Sequence, residues 1–222
     1  MNNHPSRQAL SWIAAGIVSI CAVSSAHASI TVYNSQASYL AAITNPGVDT
    51  YDSMAIASTP SPINRTAGAH TYSASASTTS FYPAGSPADV WLSLNTATDV
   101  MSIYNLSAGV RGVGGFFFGS DISGNFLSGQ DIRVIATDGS GSSNILLNNT
   151  TTGTFLGFVT DGAFSGITVE AVQPGAGFTW PTVNDLTLGE AVAVPEPGQI
   201  ASGLVLLVGA AGYVIRRRKA AK

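Results

Sequence analysis

Three kinds of side chain in this 222-residue sequence have the means to do chemistry: histidine, aspartate and the large aromatics. Histidine is nearly absent. His4 and His27 fall within the first 28 residues, which leaves His70 alone between residues 29 and 194. A Ser-His-Asp triad would have to use His70, and the many serines include no Gly-x-Ser-x-Gly elbow to present a nucleophile. Zinc needs several His or Cys ligands, and one histidine does not make a site. His70, between Ala69 and Thr71 beside a strand pattern, reads as a structural residue at or near the surface. The single cysteine, Cys21, also falls in the first 28 residues, so the body has no disulfide and no thiol nucleophile.

Carboxylates are the larger resource. Asp49, Asp52, Asp121, Asp131, Asp138, Asp161 and Asp185 all sit near turns or strand ends. Two of them at a suitable separation would suffice for glycoside hydrolysis, provided one carries a raised pKa. The commoner role of Asp at such positions is to bond nearby backbone N–H groups and shape the turn. The expectation is therefore no catalytic residue, no metal site and no resident cofactor. Ca²⁺ is the one ion the pattern admits, with Asp121, Asn125 and Asp185 as the ligands to inspect, although no EF-hand or RTX spacing is present. Asp138-Gly139-Ser140-Gly141-Ser142 reads as a flexible hairpin loop, since a phosphate cradle would need a lysine and a following helix.

Aromatic rings bind sugars by stacking on their apolar faces. Trp91, Trp180, Tyr82 and Tyr104 are the candidates, with Trp180-Pro181 favoured because it closes the irregular run from Pro174. Phe116, Phe117 and Phe118 are consecutive, so in a strand they cannot all face one side. Thr150, Thr151, Thr152 and Thr154 form a local cluster without the regular spacing an ice-binding face requires.

The elements that must position these groups are mostly strands. Asn34 or Ser35 can cap one short helix with apolar spacing at Ala37, Tyr39, Leu40 and Ile43, which Asn45-Pro46-Gly47 should end. Strands are expected over Val48–Met54, Thr71–Phe81, Val90–Asn95, Ser102–Leu106, Gly112–Phe118, Asp131–Thr137, Ser143–Asn148, Gly153–Val159, Gly166–Ala171 and Val183–Leu188. Ile132, Val134 and Ala136 alternate with Arg133 and Ile135, and Ile167 and Val169 with Thr168 and Glu170, the period of half-buried strands. The expected fold is all-β: an antiparallel jelly-roll-type sandwich over residues 29–190, with one short N-terminal helix.

Charge is distributed unevenly. Residues 29–194 hold three arginines and eleven acids, a net charge of −8, which excludes a nucleic-acid footprint. Five of the nine basic residues are Arg216, Arg217, Arg218, Lys219 and Lys222. Residues 1–28 read as a signal peptide: Arg7 precedes the apolar Ser11–Val23, and Ala26-His27-Ala28 suits cleavage by signal peptidase between Ala28 and Ser29. Ile20 before Cys21 argues against a lipoprotein site. Residues 191–199 read as a linker containing Pro195-Glu196-Pro197, whose prolines exclude helix. Residues 200–215 carry no charge and are expected to form a transmembrane helix, about 24 Å long against a hydrocarbon core of roughly 30 Å. The basic residues 216–222 would then form a cytoplasmic tail, placing the body outside.

Pro195, Glu196 and Pro197, the apolar span after them and the cluster Arg216, Arg217, Arg218 and Lys219 together resemble the PEP-CTERM sorting tail, also labelled the ice-binding protein C-terminal domain. That label implies nothing about ice. The resemblance implies export in an exopolysaccharide-making Gram-negative bacterium and processing by exosortase at the inner membrane. It also implies display at the cell surface or in the extracellular matrix. The run Val113-Gly114-Gly115-Phe116-Phe117-Phe118-Gly119, then Ile132–Gly139, Phe155-Leu156-Gly157-Phe158, Ile167-Thr168-Val169 and Asn184–Leu188 is similar to the lectin-like jelly-roll body of that group. It implies fold, with polysaccharide contact by analogy. The expected role is thus a non-enzymatic exported protein associated with exopolysaccharide. The alternatives are a matrix-acting glycoside hydrolase using Asp carboxylates and, more remotely, ice binding.

Overall fold

The computed structural model describes residues 29–192. Its elements in chain order are β1 (Ile30–Tyr33), α1 (Gln36–Ala41), β2 (Ile43–Asp49), β3 (Thr59–Pro60), β4 (Ile63–Ala67), β5 (His70–Ala76), β6 (Ser80–Phe81), β7 (Ala84–Ser86), β8 (Asp89–Ser93), β9 (Met101–Tyr104), β10 (Gly112–Ser120), β11 (Phe126–Leu127), β12 (Gln130–Asp138), β13 (Ser142–Thr150), β14 (Phe155–Thr160), β15 (Phe164–Val172) and β16 (Trp180–Ala191). The signal-peptide segment with Ala28, the Pro195-Glu196-Pro197 motif, the apolar span 200–215 and Arg216, Arg217, Arg218 and Lys219 lie outside the described residues. Among the described residues no helix is long and apolar enough to cross a membrane.

Two antiparallel sheets carry the fold. One has eight strands in the order β1-β14-β10-β16-β8-β7, with β11 joined to β10 and β2 to β16. The other has six, in the order β13-β12-β15-β9-β5-β4. Period-2 alternation decides which side chains meet between them. Ile132, Val134 and Ala136 of β12 and Ile167 and Val169 of β15 point inward, where they meet Val113 and Phe117 of β10 and Leu186 and Leu188 of β16. Chain positions more than 50 apart thus share one core, and burial of this apolar surface is the main force holding the sheets together. The all-β, antiparallel expectation agrees with this architecture.

The consecutive phenylalanines divide as strand geometry requires. Phe117 enters the core between the sheets. Phe116 and Phe118 face outward and are covered separately: Phe116 packs on Phe155 at 5.5 Å, and Phe118 on Trp91 at 4.9 Å and Phe126 at 5.9 Å. The first cover is α1. Ser35 caps it, its hydroxyl oxygen accepting from the Ser38 N–H. The helix lays Tyr39, with Ile43 just beyond its end, on a bed of glycines in the larger sheet. A Cβ on Gly157 would come within 2.5 Å of the Tyr39 ring, and one on Gly112 or Gly189 within 2.6 Å of Ile43. The glycines of β10 and β14 therefore leave the volume that the Tyr39 ring occupies. The Tyr39 hydroxyl then donates to Thr187 O at 2.9 Å.

One expected boundary is wrong. The helix ends at Ala41, with Ala42 as its cap, and Asn45-Pro46-Gly47 lies inside β2. The pairing of β2 with β16 shifts register between Leu188 and Glu190, and Asn45 takes a φ of 51° in that bulge. A bulge on a strand paired along one side accommodates a proline, because no ladder donor is needed there. The strand expected at Val48–Met54 is thus displaced toward the N-terminus. Strands β1, β3, β4, β7 and β11 lie outside the expected set, and the single strand expected over Thr71–Phe81 is split into β5, in the six-stranded sheet, and β6, which pairs with β3.

Candidate functional site

Two of the four aromatic candidates meet. Tyr82, just after β6, and Trp180, the first residue of β16, line a cleft of about 240 Å³ together with Asn95, Asp121 and Ile122. Trp180 is in a strand, not in the loop expected for it, and is half-buried with one side against the core. Tyr82 is 45% exposed and Ile122 83%. Phe178, 61% exposed, lies edge-on to Trp180 at 6.5 Å. The buried Ser93 and Ser120 line its floor, and the buried Thr182 links them: Ser120 Oγ is 2.9 Å from Thr182 Oγ1, and the Thr182 hydroxyl donates to Ser93 Oγ at 3.3 Å. Partly exposed rings beside internally satisfied hydroxyls suit a ligand with an apolar face and a polar rim.

The other two aromatics are placed elsewhere. Trp91 packs against Phe118 and lies over Gly85, where an added Cβ would approach the indole to 3.0 Å, so it serves packing. Tyr104 is on the outer face of the smaller sheet, in a shallow groove of about 400 Å³ with Ser75, Ser102 and Thr168. The threonine cluster does not form a face. Thr150 is fully buried, and the Thr154 hydroxyl closes the turn by accepting from the Thr151 N–H at 2.8 Å.

The aspartates mostly shape turns. Asp121 Oδ1 accepts from the Ser123 and Asn125 N–H groups at 2.8 and 2.9 Å, which fixes the loop forming one wall of the cleft. Burial acts to raise the Asp121 pKa, but these donors outweigh it and hold the carboxyl below its ordinary value. The Asp138 carboxylate is likewise bonded within its loop: Oδ1 accepts from Ser140 and Gly141 and Oδ2 from the Thr160 hydroxyl. Burial again opposes, yet the donors lower the Asp138 pKa to about 2. Asp99, buried and absent from the sequence-based candidates, collects Ser77, Thr78 and Thr79, and its pKa is lowered in the same way against its burial. Stability from such depressed carboxylates is present above the unfolded value near 4 and is lost as pH falls through the folded value. Acid unfolding monitored by circular dichroism should therefore progress between about pH 4 and pH 2, and Asp138→Asn should flatten that dependence.

The three residues inspected for Ca²⁺ do not assemble. Asp121 and Asn125 share one loop, while Asp185 lies five residues beyond Trp180 along β16, about 16 Å of strand. Among the described residues no group of three or more metal-ligating side chains is present. Asp185 has company of its own sign instead. Its pKa is raised, first by burial and then by the charges of Asp89 and Asp52. Asp52 and Asp89 are hydrogen-bonded, to the Val90 N–H and the Asn184 amide. Neither they nor Asp185 line any of the clefts that hold Tyr82, Tyr104 or Tyr72.

Asp49 departs most from the turn role. It is buried, and its carboxylate takes the Arg65 guanidinium in two contacts, the Tyr72 hydroxyl at 2.7 Å and the Tyr51 N–H at 3.1 Å. The guanidinium lies 5.2 Å from the Tyr51 ring centre, and the Tyr51 and Tyr72 hydroxyls are 3.1 Å apart. Burial pushes both phenols above the ordinary tyrosine value, so both stay protonated. The network ties β2 of one sheet to β4 and β5 of the other. His70 adds a second tie, Nε2 donating to Asn45 O at 2.8 Å; the role is structural, but the residue is buried and not at or near the surface as expected. Compared with family models, with curated proteins and with solved structures, the chain matches none.

Proposed function

We propose that this chain is an exported, non-enzymatic protein of a Gram-negative bacterium that contacts exopolysaccharide through the Tyr82–Trp180 cleft. The observation that carries the contact is the convergence of two partly exposed rings, from positions 82 and 180, over one polar-floored cleft. In this reading the body is a jelly-roll sandwich of the lectin-like kind. Signal peptidase removes residues 1–28, the span 200–215 holds the precursor in the inner membrane, and exosortase acts at Pro195-Glu196-Pro197. The body is then displayed at the cell surface or in the matrix. Retention of the protein by immobilised exopolysaccharide is the test of contact. Failure of retention would remove that part and leave display standing.

Support for cleavage before Ser29 comes from the start of β1 at Ile30 and from the Ser29 N–H, which donates to Asp161 Oδ1 at 2.8 Å. Cleavage there replaces this amide by an α-ammonium against the same carboxylate. Mass spectrometry of the mature protein should find Ser29 first and no residue beyond Pro197. An intact Arg216–Lys222 tail in secreted material would contradict the sorting part.

A second reading, a matrix-acting glycoside hydrolase, is favoured by one observation: the raised Asp185 beside Asp89 and Asp52. It would require release of reducing ends from the exopolysaccharide that Asp185→Asn abolishes.

A further inference from the structure

We propose that the Tyr82–Trp180 cleft takes a sugar polymer bearing protonated amines, a deacetylated hexosamine chain, and that Asp121 receives the ammonium. This rests on the reading of the cleft as a saccharide site and names its ligand class.

Three features select the charge. The first is the state of the Asp121 carboxylate in the cleft wall. Its Oδ1 is engaged by two backbone N–H groups, while Oδ2 has only the Asn125 amide at 3.3 Å. A carboxylate accepts about four hydrogen bonds, so Oδ2 retains capacity for an ammonium donor. The backbone donors also keep the group ionised and fixed in direction. The second feature is the absence, among the described residues, of any competing cation. None of them that lines the cleft is basic, and none is a lysine. Arg65 is held by Asp49, Arg133 by Glu170 at 2.7 Å, and Arg111 donates to the carbonyl of Val110. The third feature is the pair of rings, whose faces attract cations as well as sugar C–H groups.

An amino sugar thus stacks on a ring, donates its ammonium to Asp121 Oδ2 and enters the field of a body with a net charge of −8 between residues 29 and 194. A neutral sugar retains the stacking alone. A uronate sugar meets Asp121 and the same field with the wrong sign, and among the described residues no arginine or lysine lines the cleft to offset either.

The test is titration calorimetry of the full chain in detergent at pH 6 with short oligomers of glucosamine, of N-acetylglucosamine and of a hexuronate. The expected order is glucosamine tightest, by at least tenfold over the N-acetylated oligomer, with the uronate weakest. Asp121→Asn keeps an acceptor for the loop N–H groups and should bring the first two within about twofold. Asp161→Asn removes a charge beyond the opposite end of β10, where Gly112 pairs with Val159, and should leave the tenfold gap in place. Ile122→Lys should reverse the preference toward the uronate. Equal binding of the first two oligomers, tightest binding of the uronate, or a gap that Asp161→Asn closes as well as Asp121→Asn does would overturn the assignment of ligand class. Absence of binding by all three, or binding indifferent to Trp180→Ala, would overturn the saccharide site itself and the assignment with it.

Discussion

Asp49→Ala is expected to destabilise the fold by about 3–5 kcal/mol, because it strands a charged Arg65 inside the sandwich. Arg65 reaches Asp49 through Nε at 2.7 Å and through Nη2, and the Tyr72 hydroxyl loses its charged acceptor in the same step and keeps only the Tyr51 hydroxyl. The side chains of Asp49 and Arg65 are 5% and 16% exposed, so water does not replace the lost partner freely. Urea unfolding followed by tryptophan fluorescence measures the change. Replacing the set together, Asp49→Leu with Arg65→Met, Tyr72→Phe and Tyr51→Phe, should recover most of the loss, since the penalty comes from orphaned partners more than from the pair itself and the Tyr51 hydroxyl is bonded to Tyr72. A loss below about 1 kcal/mol for Asp49→Ala would mean that the network does not join the sheets as described.

Tyr39→Ala carries the second large effect, also about 3–5 kcal/mol as expected for emptying a buried aromatic site. Its ring is fully buried on the Gly157 and Gly114 backbone, packs on Phe155 at 5.5 Å and ends in the hydrogen bond to Thr187 O. The reciprocal change is informative. Gly157→Val places a Cβ at 2.5 Å from Tyr39 Cδ2 and 2.8 Å from Cγ, which the ring can escape only by lifting α1. Gly157→Val should therefore destabilise in the wild type, and adding it to Tyr39→Ala should bring little further loss. Equal losses in the two backgrounds would show that the glycine serves something other than the ring.

The strands were legible where one face is apolar and the other is not. Ile132-Arg133-Val134-Ile135-Ala136 announces its inward residues by period alone, and Ser35 announces the helix start by its side-chain chemistry. Legibility failed where tertiary pairing overrides local preference. Pro46 reads as a stop and sits in a bulge, because β16 pairs on both sides of it. Ile63-Asn64-Arg65-Thr66-Ala67 reads as polar, yet Arg65 turns inward toward an acid 16 residues earlier, and nothing local reveals that partner. The cleft has the same character. Tyr82 and Trp180 were singled out for sugar stacking and Asp121 for carboxylate or Ca²⁺ chemistry, and tertiary pairing brings them together: β10 beside β16 sets Ser120 opposite Trp180, and the Tyr82 N–H donates to Ser93 O. The buried floor of Ser93, Ser120 and Thr182 carries no signal in a chain rich in serine and threonine.

Contact with polysaccharide through this cleft is tested most directly by affinity electrophoresis of the full chain in gels containing the exopolysaccharide of the host bacterium. The wild type should be retarded, and Trp180→Ala should weaken retention by about 30-fold, the equivalent of losing one aromatic anchor worth about 2 kcal/mol. Its circular dichroism and urea midpoint should show that the sandwich still folds. Undiminished retardation of a folded Trp180→Ala protein would contradict the account.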